Sequence, residues 1–254
     1  MDHPAPIALF VYNRPDHTRR TVEALQKNDL AAMSRLIIFA DAPKTGAEVE
    51  SVAQVREYIA GIKEFSVVEI ICRDSNYGLA RSIVDGVSEV LGRFDRVIVL
   101  EDDIVTSPYF LRYINDALHK YREVEEVMHI SGYMFPIETE GLPETFFYRV
   151  TSCWGWGTWG RAWKHFSKDP RRQVGQFSRE AIGRFSLNGA TDHWQQFLRN
   201  LKGRSDTWAV FWYVSVFQRG GLCLHPAVSL TEISGMTVQA SIAAGKSVST
   251  GFWL

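Results

Sequence analysis

Residues 96–103 read RVIVLEDD, and this stretch decides the fold. Four apolar residues, three of them β-branched, run directly into Glu101, Asp102 and Asp103. Such a run predicts a buried central strand of a sheet, whose last residues emerge at the sheet edge. A helix is expected to follow, with Ser107 as its N-cap and Pro108 at its first position, so the three acids would lie on a strand-to-helix turn. Ligands of open α/β sheets bind at turns of this kind.

The negative charges of three adjacent carboxylates at this turn need a compensating positive charge. In a partly desolvated crevice they cannot all stay ionised without a metal ion or basic partners. Mg²⁺ and Mn²⁺ favour carboxylate and phosphate oxygens, so a divalent cation bound together with a phosphate group would serve. The alternative is that the acids are solvated loop charges, or charges favourable at the start of the next helix.

The chain before this strand repeats one pattern. Apolar runs at 7–12, 36–40 and 66–72 predict three more strands, and helical patterns separate all four. The alternation predicts an α/β protein with a parallel, three-layer sheet and right-handed crossovers. Arg14 follows the first strand, where it could reach a phosphate or a base or be a solvated loop cation. Asp41 follows the second strand at the same edge.

Composition and motifs exclude several classes of protein. The chain has 254 residues and a net charge of -1, so no overall basic field indicates nucleic acid as a partner. The apolar run at 7–12 is too short for a bilayer span or a signal peptide, and a cytoplasmic protein is expected. No Gly-x-Gly-x-x-Gly or Walker motif follows a predicted strand, which argues against dinucleotide dehydrogenases and P-loop enzymes.

All eight tryptophans lie beyond residue 153. Trp154 and Trp156 alternate with glycines in the stretch 153–160, and the glycines argue against a helix there. Glycine lets the backbone approach a ligand closely while an aromatic ring covers the ligand's apolar face, as sugars require. The alternative is an aromatic part of the core, or a hinge.

Two further features lie near the end of the chain. Asp206 precedes an amphipathic pattern and is expected to cap that helix at its N-terminus. The tail from Gly235 to Leu254 is rich in serine, alanine and glycine and is expected to be mobile.

With these residues laid out, the chain resembles a GT-A type glycosyltransferase. It is most similar to the group that joins the N-acetylglucosaminyltransferase I family with small bacterial glycosyltransferase-like proteins. The likeness covers almost the whole chain. It rests on seven segments in order, namely 10–15, Asp41, 76–79, 100–103, 130–133, 154–159 and 221–226.

The resemblance implies a GT-A fold, with a Rossmann-like, mostly parallel central sheet, helices on both faces and a Trp-rich acceptor-side half. It also implies one domain, 1–254, in which residues 1–106 bind the nucleotide sugar and residues 107–254 bind the acceptor. The activity implied is transfer of a sugar from a nucleoside-diphosphate sugar to an acceptor hydroxyl, with inversion, in bacterial polysaccharide or glycan synthesis. The acceptor would be a glycan, a lipid-linked molecule or a protein.

Site residues follow from the same resemblance. Asp103 would bind Mn²⁺ or Mg²⁺, and Asp102 would contact the donor ribose. Arg14 and Asp41 would hold the base, with Asn76 or its neighbours against it. The tryptophans at 154 and 156 would lie beside the donor.

The catalytic acids are the last part of this expectation. Glu101 would face the donor sugar, and a base would lie on the helix after the Trp-rich loop. The expected position of that base is Ala209, which leaves Asp206 as the nearest acid in the sequence.

Two other functions fit parts of the sequence. A sugar nucleotidyltransferase also pairs acidic turns with a metal ion, but it usually carries a glycine-rich phosphate loop near the N-terminus, and residues 13–15 are not one. A non-catalytic module that binds a nucleotide sugar or a carbohydrate is made more plausible by Ala209.

Overall fold

A computed structural model describes residues 3–234, and the tail for which mobility was expected lies outside this range. The strands are β1 (Ile7–Val11), β2 (Arg35–Ala40), β3 (Val67–Cys72), β4 (Arg96–Glu101), β5 (Ile104–Thr106), β6 (Val127–Ser131), β7 (Thr145–Tyr148), β8 (Trp156–Trp159), β9 (Leu222–Pro226) and β10 (Thr231–Ile233). The α-helices are α1 (Pro15–Gln26), α2 (Val49–Ala60), α3 (Leu79–Leu91), α4 (Phe110–Lys120), α5 (Gly160–Trp163), α6 (Pro170–Val174), α7 (Arg179–Phe185), α8 (His193–Leu201) and α9 (Ala209–Gln218).

Eight strands form one sheet in the order β3-β2-β1-β4-β8-β6-β9-β7. The first four are parallel, as the alternation predicts, and β6 is parallel to β9. β8 and β7 run antiparallel to their neighbours. The chain is therefore a mixed α/β protein with a large, mostly parallel sheet, consistent with a Rossmann-like arrangement, and the antiparallel strands are the part that the sequence did not predict.

Helices cover both faces of this sheet because the central strands are apolar on both sides. Along β4, Ile98 and Leu100 belong to the core cluster that includes residues of α1, α2 and α4. Val97 and Val99 belong to the cluster on the other face, with residues of α3 and α9. This two-sided burial is typical of parallel sheets between helix layers.

The order of the strands reverses between β1 and β4. The helices that follow β1 and β2 pack on one face of the sheet, and α3, which precedes β4, packs on the other. The segments that leave β1 and β4 lie side by side, because Thr21 of α1 donates to the carbonyl of Asp102, and the carboxyl ends of these two strands meet at one sheet edge. This switch point is where open α/β sheets bind ligands.

The segment after β4 differs from the expected strand-to-helix turn. A three-residue strand, β5, follows the acids and pairs antiparallel with β10. Helix α4 begins at Phe110, whose N–H bonds the carbonyl of Ser107 at 3.1 Å, so Ser107 does not cap the helix with its side chain. A strand this short carries too few residues to show a period of two.

The expected cap of α9 is also wrong. The helix begins at Ala209, the N-cap position is Trp208, and no side-chain hydrogen bond caps it. Asp206 lies too far upstream to reach the first free N–H groups of the helix.

Within residues 3–234, no helix is both long enough and apolar enough to span a bilayer.

Candidate functional site

The three acids lie at the carboxyl end of β4. Glu101 is the last residue of the strand, and Asp102 and Asp103 form the turn into β5. Both turn carbonyls are held: Thr21 Oγ1 donates to Asp102 O at 2.9 Å, and Ser234 N donates to Asp103 O at 2.7 Å. The turn is thus anchored to α1 on one side and to the end of β10 on the other.

Arg14, at the start of α1, contacts these acids directly. Its Nη1 donates to Asp103 Oδ2 at 3.0 Å, its Nε donates to Asp102 Oδ2 at 3.4 Å, and its Nη2 donates to Asp102 Oδ1. The Asp102 side chain is 5% exposed and that of Arg14 is 44% exposed. Sequence reasoning placed Arg14 and the acids at one sheet edge, and the structure brings them into direct contact.

The charges at the turn depend on burial. Burial, and after it the charges of Asp103 and Asp102, raise the pKa of Glu101 to about 8, against a smaller lowering by Arg14. Burial also raises the pKa of Asp102, and the ion pair with Arg14 limits that rise. At neutral pH, Glu101 is therefore largely protonated, and the Asp102 and Asp103 carboxylates share one guanidinium.

The predicted metal at Asp103 does not fit this arrangement. Asp102 and Asp103 are both paired with Arg14, and Glu101 is largely in its neutral form. Among residues 3–234, no three His, Cys, Asp or Glu side chains are grouped as a metal site would need. The role of Mn²⁺ or Mg²⁺ therefore stays a prediction, and its test requires changing Arg14.

Asp41 lies at the carboxyl end of β2 and is buried, with 6% of its surface exposed. Its Oδ1 accepts from Ala42 N at 2.9 Å and from Tyr77 N at 2.8 Å. Its Oδ2 accepts from Gly78 N at 2.9 Å and from Asn76 Nδ2 at 3.2 Å. The carboxylate thus holds the loop 76–78 that leads into α3, a role that spacing along the chain did not reveal.

The loop 76–78 turns at a glycine, and the aromatic ring of Tyr77 lies near two arginine side chains. Gly78 has φ +72°, a conformation that L residues rarely adopt, which is why the chain can turn there into α3. The ring of Tyr77 lies 3.7 Å from the Arg81 guanidinium carbon and 5.0 Å from that of Arg73. The loop therefore presents a positively charged aromatic surface beside the carboxyl end of β2.

The two tryptophans assigned to the ligand have different environments. Trp156 is fully buried in β8, with its ring stacked on Trp208 and on His129. Trp156 is therefore part of the core, and the expectation that it covers a ligand is wrong for this arrangement. Trp154 is only partly buried, and its ring meets the ring of Tyr133 edge-on at 4.5 Å.

A glycine sets the position of Trp154. Gly155 has φ +79°, and a Cβ atom there would lie 2.8 Å from Thr231 Cγ2. Its carbonyl accepts from Gly132 N at 2.7 Å, and the Trp154 carbonyl accepts from Thr231 Oγ1 at 2.8 Å. The residues between Cys153 and β8 are thereby fixed against both β6 and β10.

Asp206 lies on the surface before α9. Its side chain is 81% exposed and forms an ion pair with Lys168. This position leaves its carboxylate open to a molecule that approaches from solvent.

Sequence reasoning missed two groups that border the site. Glu48 accepts from Asn13 Nδ2 at 3.3 Å and from Thr45 N at 2.9 Å, and the Tyr12 hydroxyl accepts from Lys44 N at 3.0 Å. These bonds fix the loop after β2 against the loop after β1. The spacing of Thr45 and Glu48, which form a capping box, was a signal in the sequence. The second missed group is the set of residues around Tyr133.

No protein-family model and no curated protein matches this chain. Among solved structures, the crystal structure of S. aureus TarS matches 49% of the chain at 14% sequence identity, with a TM-score of 0.33. The matched part is 21% of that chain, so this protein spans about a fifth of its length. A likeness at this level supports no conclusion about function, which has to come from the geometry of the site.

Proposed function

We propose that the protein is a GT-A type glycosyltransferase that moves a sugar from a nucleoside-diphosphate sugar to an acceptor hydroxyl, with inversion. The observation that carries the proposal is the position of the acid turn. Glu101, Asp102 and Asp103 end β4, Arg14 follows β1, and these two strands flank the switch point of the sheet. A sheet edge that presents a guanidinium and acids at this point suits a ligand that carries phosphates and a sugar.

The donor would lie between the acid turn and the loop 76–78. Arg14 has five N–H groups, and its three nitrogens each make one contact to a carboxylate, so two N–H groups are left over for a diphosphate. Tyr77 offers an aromatic ring on that loop. In this proposal Asp41 acts as a positioning residue, because its oxygens already hold the loop.

The chemistry follows from the charges. The bond between the anomeric carbon and the diphosphate oxygen breaks, the diphosphate leaves with the electron pair, and Arg14 stabilises its charge. The acceptor oxygen forms a new bond to the opposite face of the anomeric carbon, and its proton passes to a carboxylate. We assign that carboxylate to Asp206, which precedes α9 and is open to an incoming acceptor.

Glu101 has a separate role in this scheme. Because its pKa lies at about 8, it can donate a hydrogen bond to a sugar hydroxyl at neutral pH, whereas an ionised acid could only accept one. The proposal therefore uses one neutral acid for the sugar and one ionised acid for the proton.

The experiment is a donor screen with the full chain. Calorimetry with UDP, GDP and dTDP sugars, with and without Mn²⁺, measures binding, and release of free nucleoside diphosphate over time measures turnover. We expect one donor to bind and to be hydrolysed slowly without an acceptor. NMR of the transferred sugar then reports whether the anomeric configuration is inverted. If no donor binds and none is consumed, the proposal fails.

A second candidate is a non-catalytic module that binds nucleotide sugars. Ala209 favours it, because the resemblance expects an acid at that position, and Asp206 is paired with Lys168 on the surface. Tight donor binding without any release of nucleoside diphosphate, with or without acceptors, would favour this candidate over the transferase.

A further inference from the structure

A groove opens beside the acid turn. It has a volume of about 390 Å³ and lies between residues 133–139 and residues 227–233. We call it the aromatic groove. Its volume falls at the lower end of the range for small-molecule sites in proteins.

The aromatic groove is joined directly to the proposed donor site. One of its walls is β10, which pairs with β5, and the next residue, Ser234, bonds the carbonyl of Asp103. Its other wall carries Tyr133, whose ring contacts Trp154. The residue before Trp154 is Cys153, whose pKa is raised by burial and also by the nearby carboxyl group of Glu101. A molecule in the groove would therefore have one end near the acids.

Aromatic and aliphatic surfaces dominate the groove. Phe135 is 48% exposed and Val228 is 67% exposed, although both are apolar. The rings of Tyr133, Phe135 and Trp154 meet edge to face, at angles between 73° and 83°. The Phe135 ring is exposed, and the rings of Tyr133 and Trp154 are half-buried. Aromatic rings stack on the C–H faces of sugars, and the polar lining residues, such as Thr139 and Glu232, suit sugar hydroxyls.

The charges of the residues that line the aromatic groove narrow the chemical class of ligand that it can bind. Among the described residues that line the aromatic groove, none is lysine or arginine, and Glu232 is the only charged one. A phosphate, sulfate or carboxylate would meet this acid without a cation to compensate it. The arrangement thus disfavours phosphorylated, sulfated and diphosphate-linked acceptors.

We propose that the aromatic groove binds an uncharged glycan as the acceptor, with the hydroxyl to be glycosylated directed toward the acid turn. This inference rests on the proposed function for the word acceptor, but binding of the glycan is independent of it. The transfer step is the one given above, in which the acceptor oxygen bonds to the anomeric carbon and its proton goes to the base.

The test measures glycan binding and donor chemistry separately. Saturation-transfer-difference NMR on the full chain uses neutral oligosaccharides, namely cellobiose, chitobiose and maltotriose, and the phosphorylated or sulfated forms of the same sugars. The variants are Phe135→Ala and Val228→Asp, at exposed positions where folding is not at risk. Val124→Asp is the matched control, because Val124 is exposed before β6, away from the groove.

We expect at least one neutral oligosaccharide to bind the wild type and the control, and the two groove variants to weaken its affinity at least tenfold. Binding of uridine diphosphate should change less than twofold in all three variants. Selective binding of the anionic sugars, no binding of any neutral sugar, or equal affinity in the groove variants would overturn the inference. So would sedimentation data in which Val228→Asp abolishes a dimer of the wild type, because a second copy would then occupy the groove.

Failure of the proposed function gives a different result. Glycan binding that is lost in the groove variants, without nucleoside diphosphate release from any donor, would support a carbohydrate site in the groove and refute the transferase.

Discussion

Nη1 of Arg14 lies 3.0 Å from Oδ2 of Asp103, although 89 residues separate the two along the chain. The contact gives the acid turn a cation that belongs to the protein itself. Arg14 thus performs in the free protein the compensation that the sequence analysis assigned to a metal ion or to basic partners. The consequence is that any cation that binds to Asp103 has to compete with this guanidinium.

We expect Arg14→Gln to destabilise the protein by about 2 kcal/mol. Removing one partner of a fully buried pair costs about 3–5 kcal/mol, and Arg14 is 44% exposed, which lowers the cost. In the variant the two carboxylates have no counter-charge, so Mn²⁺ should raise its thermal midpoint more than it raises that of the wild type. Differential scanning fluorimetry with and without Mn²⁺ measures both effects.

The control for this experiment is Arg184→Gln, which removes an exposed pair with Glu180 and should change little. If Mn²⁺ raises the thermal midpoint of Arg14→Gln and of the wild type equally, Arg14 does not compete with a cation for the acid turn.

We expect Glu101→Gln to stabilise the protein increasingly as the pH rises. The folded protein keeps the Glu101 proton up to a pKa of about 8, whereas the unfolded chain loses it near 4.5. The wild type therefore loses free energy of unfolding between these two values, at up to about 1.4 kcal/mol per pH unit. Glutamine has no proton to lose. Urea denaturation at pH 5, 6.5 and 8 should show that the free energy of unfolding of Glu101→Gln exceeds that of the wild type by an amount that grows with pH. The exposed Glu57→Gln should show no such trend.

We expect Asp41→Asn to loosen the loop 76–78. Each Asp41 oxygen accepts two hydrogen bonds, and the amide of asparagine would place N–H groups against two donors. An unmade buried hydrogen bond costs about 1–3 kcal/mol. Hydrogen exchange at Tyr77 and Gly78 should accelerate, and donor affinity should fall at least tenfold. Asp74→Asn, on the exposed part of the preceding turn, is the control. Unchanged exchange would show that Asp41 does not brace the loop.

We expect Trp156 and Trp154 to respond differently to replacement by phenylalanine. Trp156→Phe removes ring surface from the core, at a cost of about 1–2 kcal/mol. Its buried Nε1 has no hydrogen-bond partner within the described residues, so loss of that N–H offsets part of the cost. Donor binding should be unaffected. Trp154→Phe should change stability less and weaken glycan binding. The reverse pattern in titration and denaturation experiments would contradict our placement of the two rings.

We expect Asp206→Asn to lower the rate of sugar transfer by about 10² or more while leaving donor affinity nearly unchanged, because a base acts on the acceptor proton. Steady-state kinetics with the donor found in the screen gives kcat and KM separately. Lys168→Met is the matched variant, since it removes the ion-pair partner and leaves the acid. If Asp206→Asn keeps full activity, Asp206 is only a surface ion-pair residue.

Much of the parallel half of the sheet could be predicted from the sequence. Strands β1 to β4 coincide with short apolar runs. Those of β1, β2 and β4 can be recognised because both faces of these strands are covered, whereas β3 is a half-exposed edge strand. Helix α3 is marked by Ile83, Val87 and Val90, all fully buried, at spacings of four and three. Local patterns suffice here because each element buries its own surface against its neighbours in the chain.

The parts that could not be predicted depend on contacts between distant residues. Strand β5 exists because Ile104 pairs with Ile233, far along the chain. The burial of Trp156 depends on Trp208, and no local pattern distinguishes Trp156 from Trp154, two residues earlier. The pairing of Arg14 with Asp103 likewise follows from the strand order rather than from either loop.

The four residues of β8 form the hydrogen-bonded link between β4 and β6 in the described sheet. The acid turn follows β4, and Tyr133 lies just beyond the end of β6. The separation between the proposed donor and glycan sites is therefore set by two connections, the pairing of β5 with β10 and the short strand β8, and β8 belongs to neither site. A substitution that weakens pairing in β8 would change the distance between the two bound substrates, although every residue that contacts them stayed the same.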